Sequence, residues 1–299
     1  MLLRGRLTTS SQWLLLNSYK YTIKEYAIKK IKGLLIPYLI WGVFHFAVWM
    51  AMYSLKIVDL SETPQTMIIG LVWNNNVHLP IAGALWFVSC LLMISMVSYM
   101  AIKIFGKAFY FIFSLIIGFV GLYIHPFLPW SADTALVANL FFAVGYCVSL
   151  IKRKRNWAKA NIGAETAGVI FLMVGFHLGA YFNGFSNIRE CNYGAFPVMF
   201  FIVALLGIVS WWLVADLLYQ TETLRIMNRP IAWIGKFSMP YLCLNQLLLA
   251  VLTRLLPNII VGQITATILT LAFISILIFC IRRIEKKHKI SVYSVLFGR

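Results

Sequence analysis

Eight apolar segments, each long enough to cross a bilayer, alternate with loops whose positive charge switches on and off along the chain. A chain with that rhythm exposes more apolar surface than a soluble core can cover, so it needs lipid around it. The segments are Leu34–Leu55, Ile81–Ile102, Ala108–Ile124, Thr134–Ile151, Ile162–Phe182, Ala195–Tyr219, Ile231–Leu256 and Ile259–Ile281. A helix of roughly 20 apolar residues crosses ~30 Å of hydrocarbon. Helices are required, because an open sheet would leave backbone groups unpaired in lipid, and the period-2 alternation of a membrane barrel is missing. Composition agrees, with 61% hydrophobic residues against 12% charged; a soluble domain carries about twice that charged fraction. The fold predicted is all-α, a polytopic transmembrane helical bundle of about eight spans.

The charges set the expected orientation. Basic residues crowd residues 1–33, the turn at Lys103 and Lys107, the cluster Lys152-Arg153-Lys154-Arg155 with Lys159, the turn at Arg225 and Arg229, and the tail from Arg282 onward. Between them lie segments with one Lys or Arg or none. This puts 22 of the 26 basic residues on one side, which the positive-inside rule makes cytoplasmic, with both termini inside. The expected location is a bacterial inner (cytoplasmic) membrane. The net charge of +17 then reflects topology and attraction to anionic lipid. Dispersal over five segments gives no reason to expect nucleic acid as a partner.

One membrane domain is the simplest division: a basic, amphipathic cytoplasmic segment over 1–33, a membrane domain over 34–282, and a basic cytoplasmic tail over 283–299. Residues 1–33 are too polar for a cleavable signal peptide. The five cysteines are scattered, with neither metal-ligand spacing nor a disulfide framework. No metal and no bound cofactor is expected.

Several residues invite a chemical reading. Lys29, Lys30 and Lys32 form a basic knot at the membrane surface; it serves as a positive-inside anchor or as a grip for the phosphates of a cytosolic donor such as a coenzyme A thioester. Ionisable groups within spans are functional candidates by default. His45 lies mid-span, His177 in the outer third of its span, and His78 in an outer loop, so these three are the candidate bases; a bonded interior histidine is the alternative for His45. Glu165, Asp216 and Lys236 read as structural ion-pair partners. Trp86 offers a face for a sugar ring, and Asn192 an amide for its hydroxyls, although asparagines are equally turn formers.

At this point the words resemble those of a known family. Lys29-Lys30-Ile31-Lys32-Gly33-Leu34-Leu35-Ile36-Pro37-Tyr38-Leu39-Ile40-Trp41 resembles the basic, Leu-Leu and Pro-Tyr segment that begins a helix in the acyltransferase family 3 membrane proteins. Leu85-Trp86-Phe87-Val88, Phe141-Phe142-Ala143-Val144-Gly145-Tyr146 ahead of the basic cluster, and Ile234-Gly235-Lys236-Phe237-Ser238 look like later helices of that family. Asn192-Tyr193-Gly194 and Leu206-Gly207-Ile208 are similar to its fucose 4-O-acetylase-like branch.

The resemblance implies a membrane enzyme of about ten helices that passes an acyl group, usually acetyl, from acetyl-CoA or another acyl-CoA to a hydroxyl of a surface or lipid-linked glycan. Sugar hydroxyls are weak nucleophiles and need a general base. In the family that base is a histidine on the first helix, and the first two helices would precede residue 20 here. The expectation is therefore a truncated or inactive form. Gly33 stands where a second basic residue is expected, and Asn245-Gln246 where the late helix commonly reads His-Gln, which leaves Asn245 and Gln246 as substrate-orienting candidates. The competing expectations are a transporter or flippase for a glycan intermediate, or a non-catalytic partner of polysaccharide-assembly proteins.

Overall fold

The computed structural model describes residues 21–56, 63–73, 83–123, 128–154, 162–220, 225–257, 259–288 and 291–298. Among them there is no strand, only an isolated bridge between Asn187 and Asn192. Six helices among the described residues are long and apolar enough to cross a membrane, or seven if one bent pair counts as a span. The all-α polytopic bundle is the observed architecture.

The difference from eight spans lies in two places. The third segment, Ala108–Ile124, corresponds to the short helix Phe109–Tyr123, about 22 Å long at 1.5 Å per residue. It joins the preceding helix within α4 (Trp86–Tyr123) at Gly106, whose φ of 80° breaks the helical path. The seventh segment, Ile231–Leu256, is two helices meeting at 93°. Pro240 has no N–H to return to the Lys236 carbonyl, and its ring crowds that carbonyl, so the chain turns at Phe237.

The chain forms two compact units, one of residues 1–22, 94–126 and 133–232, the other of residues 23–93, 127–132 and 233–299. In the first, α5 (Ala132–Lys154) and α7 (Pro197–Gln220) pack on the second half of α4, and α6 (Ile162–Asn183) packs on α7. Lipid gives no hydrophobic drive for helix pairing, so close approach over small residues has to hold the helices. A Cβ at Gly179 would come within 2.6 Å of Val203, and one at Gly207 within 2.9 Å of Phe176. Leu122, Val137, Leu140, Tyr193 and Phe201 fill its interior. A buried polar set crosses it: Tyr110 donates to Ser98 at 2.7 Å, and Ser98 donates to Asn139 Oδ1 at 2.8 Å.

The second unit begins with α1 (Ile23–Lys30), which passes through one π-helical turn, Ile31–Leu35, into α2 (Ile36–Ser54). A short helix, α3 (Pro64–Val72), starts with a capping box between Thr63 and Thr66. It packs on α2, where Tyr38 donates to the Leu71 carbonyl at 2.6 Å. Then come α8 (Arg225–Lys236), which enters from the first unit, α9 (Ser238–Leu255), α10 (Ile260–His288) and a six-residue α11 (Val292–Phe297). Tyr38, Trp41, Leu85, Phe237, Ile274 and Phe297 share one core. Outward lie exposed apolar side chains such as Val43, Ile268 and Phe279, the surface a lipid environment allows.

Candidate functional site

The candidate site is built on α2 of the second unit, and Pro37 decides its geometry. Proline carries no N–H, so the Gly33 carbonyl loses its i+4 donor, and its ring disfavours a tight turn before it. The helix widens instead: Ile36 donates to the Ile31 carbonyl, five residues back. Single π turns of this kind occur often at functional positions. The extra residue shifts the face of α1 against that of α2, and Lys30 points inward.

Lys30 is 3% exposed, whereas Lys29 and Lys32 are exposed. Its ammonium sits 5.3 Å from the centre of the buried Tyr26 ring and meets no carboxylate among the described residues. The basic knot thus divides into two surface cations and one drawn into the protein. A buried ammonium without a counter-ion is costly, and its site favours an anion.

His45 lies fifteen residues further on, about 22 Å of helix rise. It is 2% exposed, and Nδ1 is 2.7 Å from the Trp41 carbonyl. A carbonyl only accepts, so Nδ1 carries the proton and Nε2 holds the lone pair. Nε2 is buried without a hydrogen-bond partner among the described residues; the Cys243 backbone influences the ring without reaching bonding geometry. Phe44 stands edge-on to the imidazole at 5.5 Å, and Trp41 is 6.1 Å away. Trp41 in turn donates from Nε1 to the Leu296 carbonyl at 2.8 Å. The arrangement is an oriented, neutral imidazole with one open nitrogen, the form a general base takes before it acts.

The other candidates fall elsewhere. Gln246 accepts from the Ala84 backbone N–H at 2.9 Å, at the start of the helix carrying the partly buried Trp86, so these two are brought close. Asn245 spends its carbonyl oxygen on the Gln246 N–H. His177 is exposed on an apolar face of α6 with Val174, Leu178 and Tyr181, its Nδ1 on the Met173 carbonyl. Asn192, also in the first unit, accepts from Gly194 N–H and forms a turn with Asn187. His78 and the side chains of Glu165 and Asp216 lie outside the described residues. The turn near Asn192 also holds Cys191, whose thiol is pushed up by burial and by the Asp133 charge, against hydrogen bonds from Tyr193 and Thr134. All five cysteines are free.

Sequence reasoning missed two elements here. The α3 helix was legible in Thr63-Pro64 with Thr66, a capping signature followed by an apolar run. The α11 helix was legible in Tyr293, Leu296 and Phe297 at helical spacing ahead of Gly298; the basic residues before it disguised it as a solvated tail.

A family model described as an acyltransferase domain matches residues 6–281. No curated protein and no solved structure matches the chain.

Proposed function

The chain belongs to the acyltransferase 3 family of membrane proteins, and on that premise we propose that it carries an acyl group, acetyl in the simplest case, from a cytosolic acyl-CoA to a hydroxyl of a surface or lipid-linked glycan. The observation that carries this reading is His45, with its proton held at Nδ1 and its Nε2 open. The family match supports the acyl transfer; the histidine fits a hydroxyl acceptor, a weak nucleophile that needs a general base.

In this mechanism the sugar hydroxyl gives its proton to Nε2 while its oxygen attacks the thioester carbonyl. The tetrahedral intermediate collapses and expels the CoA thiolate, which takes the proton from the imidazolium and leaves as the thiol. The Trp41 carbonyl keeps the ring oriented throughout, the role a third group plays in other base-dependent sites. Lys29 and Lys32 meet the donor's phosphates at the surface, and Lys30 follows the anion inward. The rise between Lys30 and His45 is a distance for the pantetheine arm to bridge. Trp86 and Gln246 flank the acceptor. The basic loops support a donor side in the cytoplasm, and the membrane proposed is the inner one of a bacterial cell.

The test is acetyl transfer from radiolabelled acetyl-CoA to membrane glycolipid in proteoliposomes. His45→Gln should cut the rate by about 10² or more and leave acetyl-CoA binding intact. Lys30→Gln should weaken binding about tenfold or more, as expected for a charge-assisted contact. Full activity in His45→Gln would remove the base assignment.

A further inference from the structure

The matched family domain ends at residue 281, yet the chain beyond it folds back onto α2. Alone, a six-residue helix such as α11 would not persist in water; tertiary contacts hold it. Tyr293 and Phe297 are 2% and 4% exposed and belong to the core that contains Tyr38 and Trp41. Phe297 stacks on Trp41 at 5.4 Å, and Tyr293 meets Phe237 edge-on at 5.5 Å. Glu285, at the end of α10, bonds Arg282 at 2.9 Å and the Tyr293 backbone N–H, and Arg282 lies over the Tyr293 ring.

The far end of the segment is pinned just as closely. Gly298 takes a left-handed conformation, φ 71°, and a Cβ there would lie 1.9 Å from the Gly33 carbonyl oxygen. That is the carbonyl whose i+4 donor Pro37 removes. Gly33 and Gly298, neither with a side chain, let two backbones meet where any larger residue at 298 would hold them apart.

Between these anchors runs a line of contacts to the candidate base. The Leu296 carbonyl accepts from Trp41 Nε1, the Trp41 carbonyl accepts from His45 Nδ1, and the Trp41 ring stands against the imidazole. We propose that residues 291–298 are a positioning element of the acyl-transfer site: they hold the Trp41 indole, and Trp41 holds His45 in the tautomer whose Nε2 is free to take a proton. This rests on the reading of His45 as the base. It gives a catalytic purpose to a segment outside the family domain. Without Leu296 as acceptor, the indole N–H is left unpaired in an apolar core and must turn to find a partner. The imidazole then loses the wall that keeps it on the Trp41 carbonyl.

Nitrogen NMR of the protein labelled with ¹⁵N-histidine, reconstituted in lipid nanodiscs, reads the tautomer directly, and His45→Gln identifies the signal. The wild type should show one neutral form with Nδ1 protonated. Trp41→Phe, which keeps a ring and removes the donor, should shift His45 toward the Nε2-protonated form. Deleting residues 291–299 should do the same, with the acetyl-transfer rate at least tenfold lower and acetyl-CoA binding unchanged. Should the deletion fail to fold, Trp41→Phe decides alone. A single Nδ1-protonated form in folded Trp41→Phe overturns the proposal. A shifted tautomer alongside an active His45→Gln enzyme sinks the base assignment and leaves the positioning contact standing, so the two failures are told apart.

Discussion

Lys30 carries the clearest conflict at the scale of single residues. Its ammonium is buried beside an aromatic ring, with no carboxylate to meet it among the described residues. A side chain kept there for stability alone would be better as an apolar residue of the same length. Lys30→Met is expected to raise the melting temperature and to weaken acyl-CoA binding, measured by thermal unfolding and by binding to the reconstituted protein. A variant that lost stability would mean the ammonium has a structural partner instead. Asn183 makes the opposite case. It is 2% exposed, donates to the Tyr193 carbonyl at 2.9 Å and accepts from Phe196 N–H at 3.0 Å. Asn183→Ala strands two backbone groups and should cost about 1–3 kcal/mol each, read as a lower unfolding midpoint with acyl-CoA binding unchanged. Sequence reading separated these two residues poorly. Lys30 was one of three similar lysines, and Asn183 one of several asparagines near outer turns. What sets each apart is burial and a specific partner, neither of which a residue type reports.

Among the elements, the π turn at Ile31–Leu35 joins local chemistry to site geometry. Pro37 was legible in the chain, and a proline early in a helix is ordinary. That this one widens the helix, turns Lys30 inward and leaves the Gly33 backbone against Gly298 depends on what packs around it. Pro37→Ala restores a donor for that carbonyl. The π turn should then tighten to an α turn, Lys30 should swing outward, and acyl-CoA affinity should fall severalfold. Binding measurements check this, and trypsin cleavage after residue 30 should speed up. Unchanged affinity and cleavage would mean that the neighbouring contacts, not the proline, impose the turn. The bend at Phe237 teaches the same lesson. Hydropathy across Ile231–Leu256 is continuous, so a window of apolar residues sees one span, while Pro240 and the Trp233 and Ile234 carbonyls, both accepting from Phe237 N–H, make two.

For the molecule as a whole, the distribution of Lys and Arg predicts which loops share a side of the membrane. With the native cysteines replaced, Asn156→Cys beside the densest basic cluster should react with a membrane-impermeant maleimide only in inverted vesicles. Ser186→Cys, in the sparsely charged loop, should react only in right-side-out ones. Both labelling from one side would overturn the alternating topology and, with it, the cytosolic face of the Lys29–Lys32 knot.

What the sequence by itself determined is the class of the protein. Long apolar runs have no stable alternative to helices in lipid, and loop charge orders them; five short words in a fixed order marked the family. These are properties of composition and spacing, and they survive without coordinates. Only the tertiary structure decided which of two histidines oriented on an i−4 carbonyl is buried, which lysine is buried, and that the segment after residue 290 is part of the core. Those outcomes rest on contacts between residues as far apart as Trp41 and Leu296, and a contact between positions so distant leaves no periodicity for a linear reading to find.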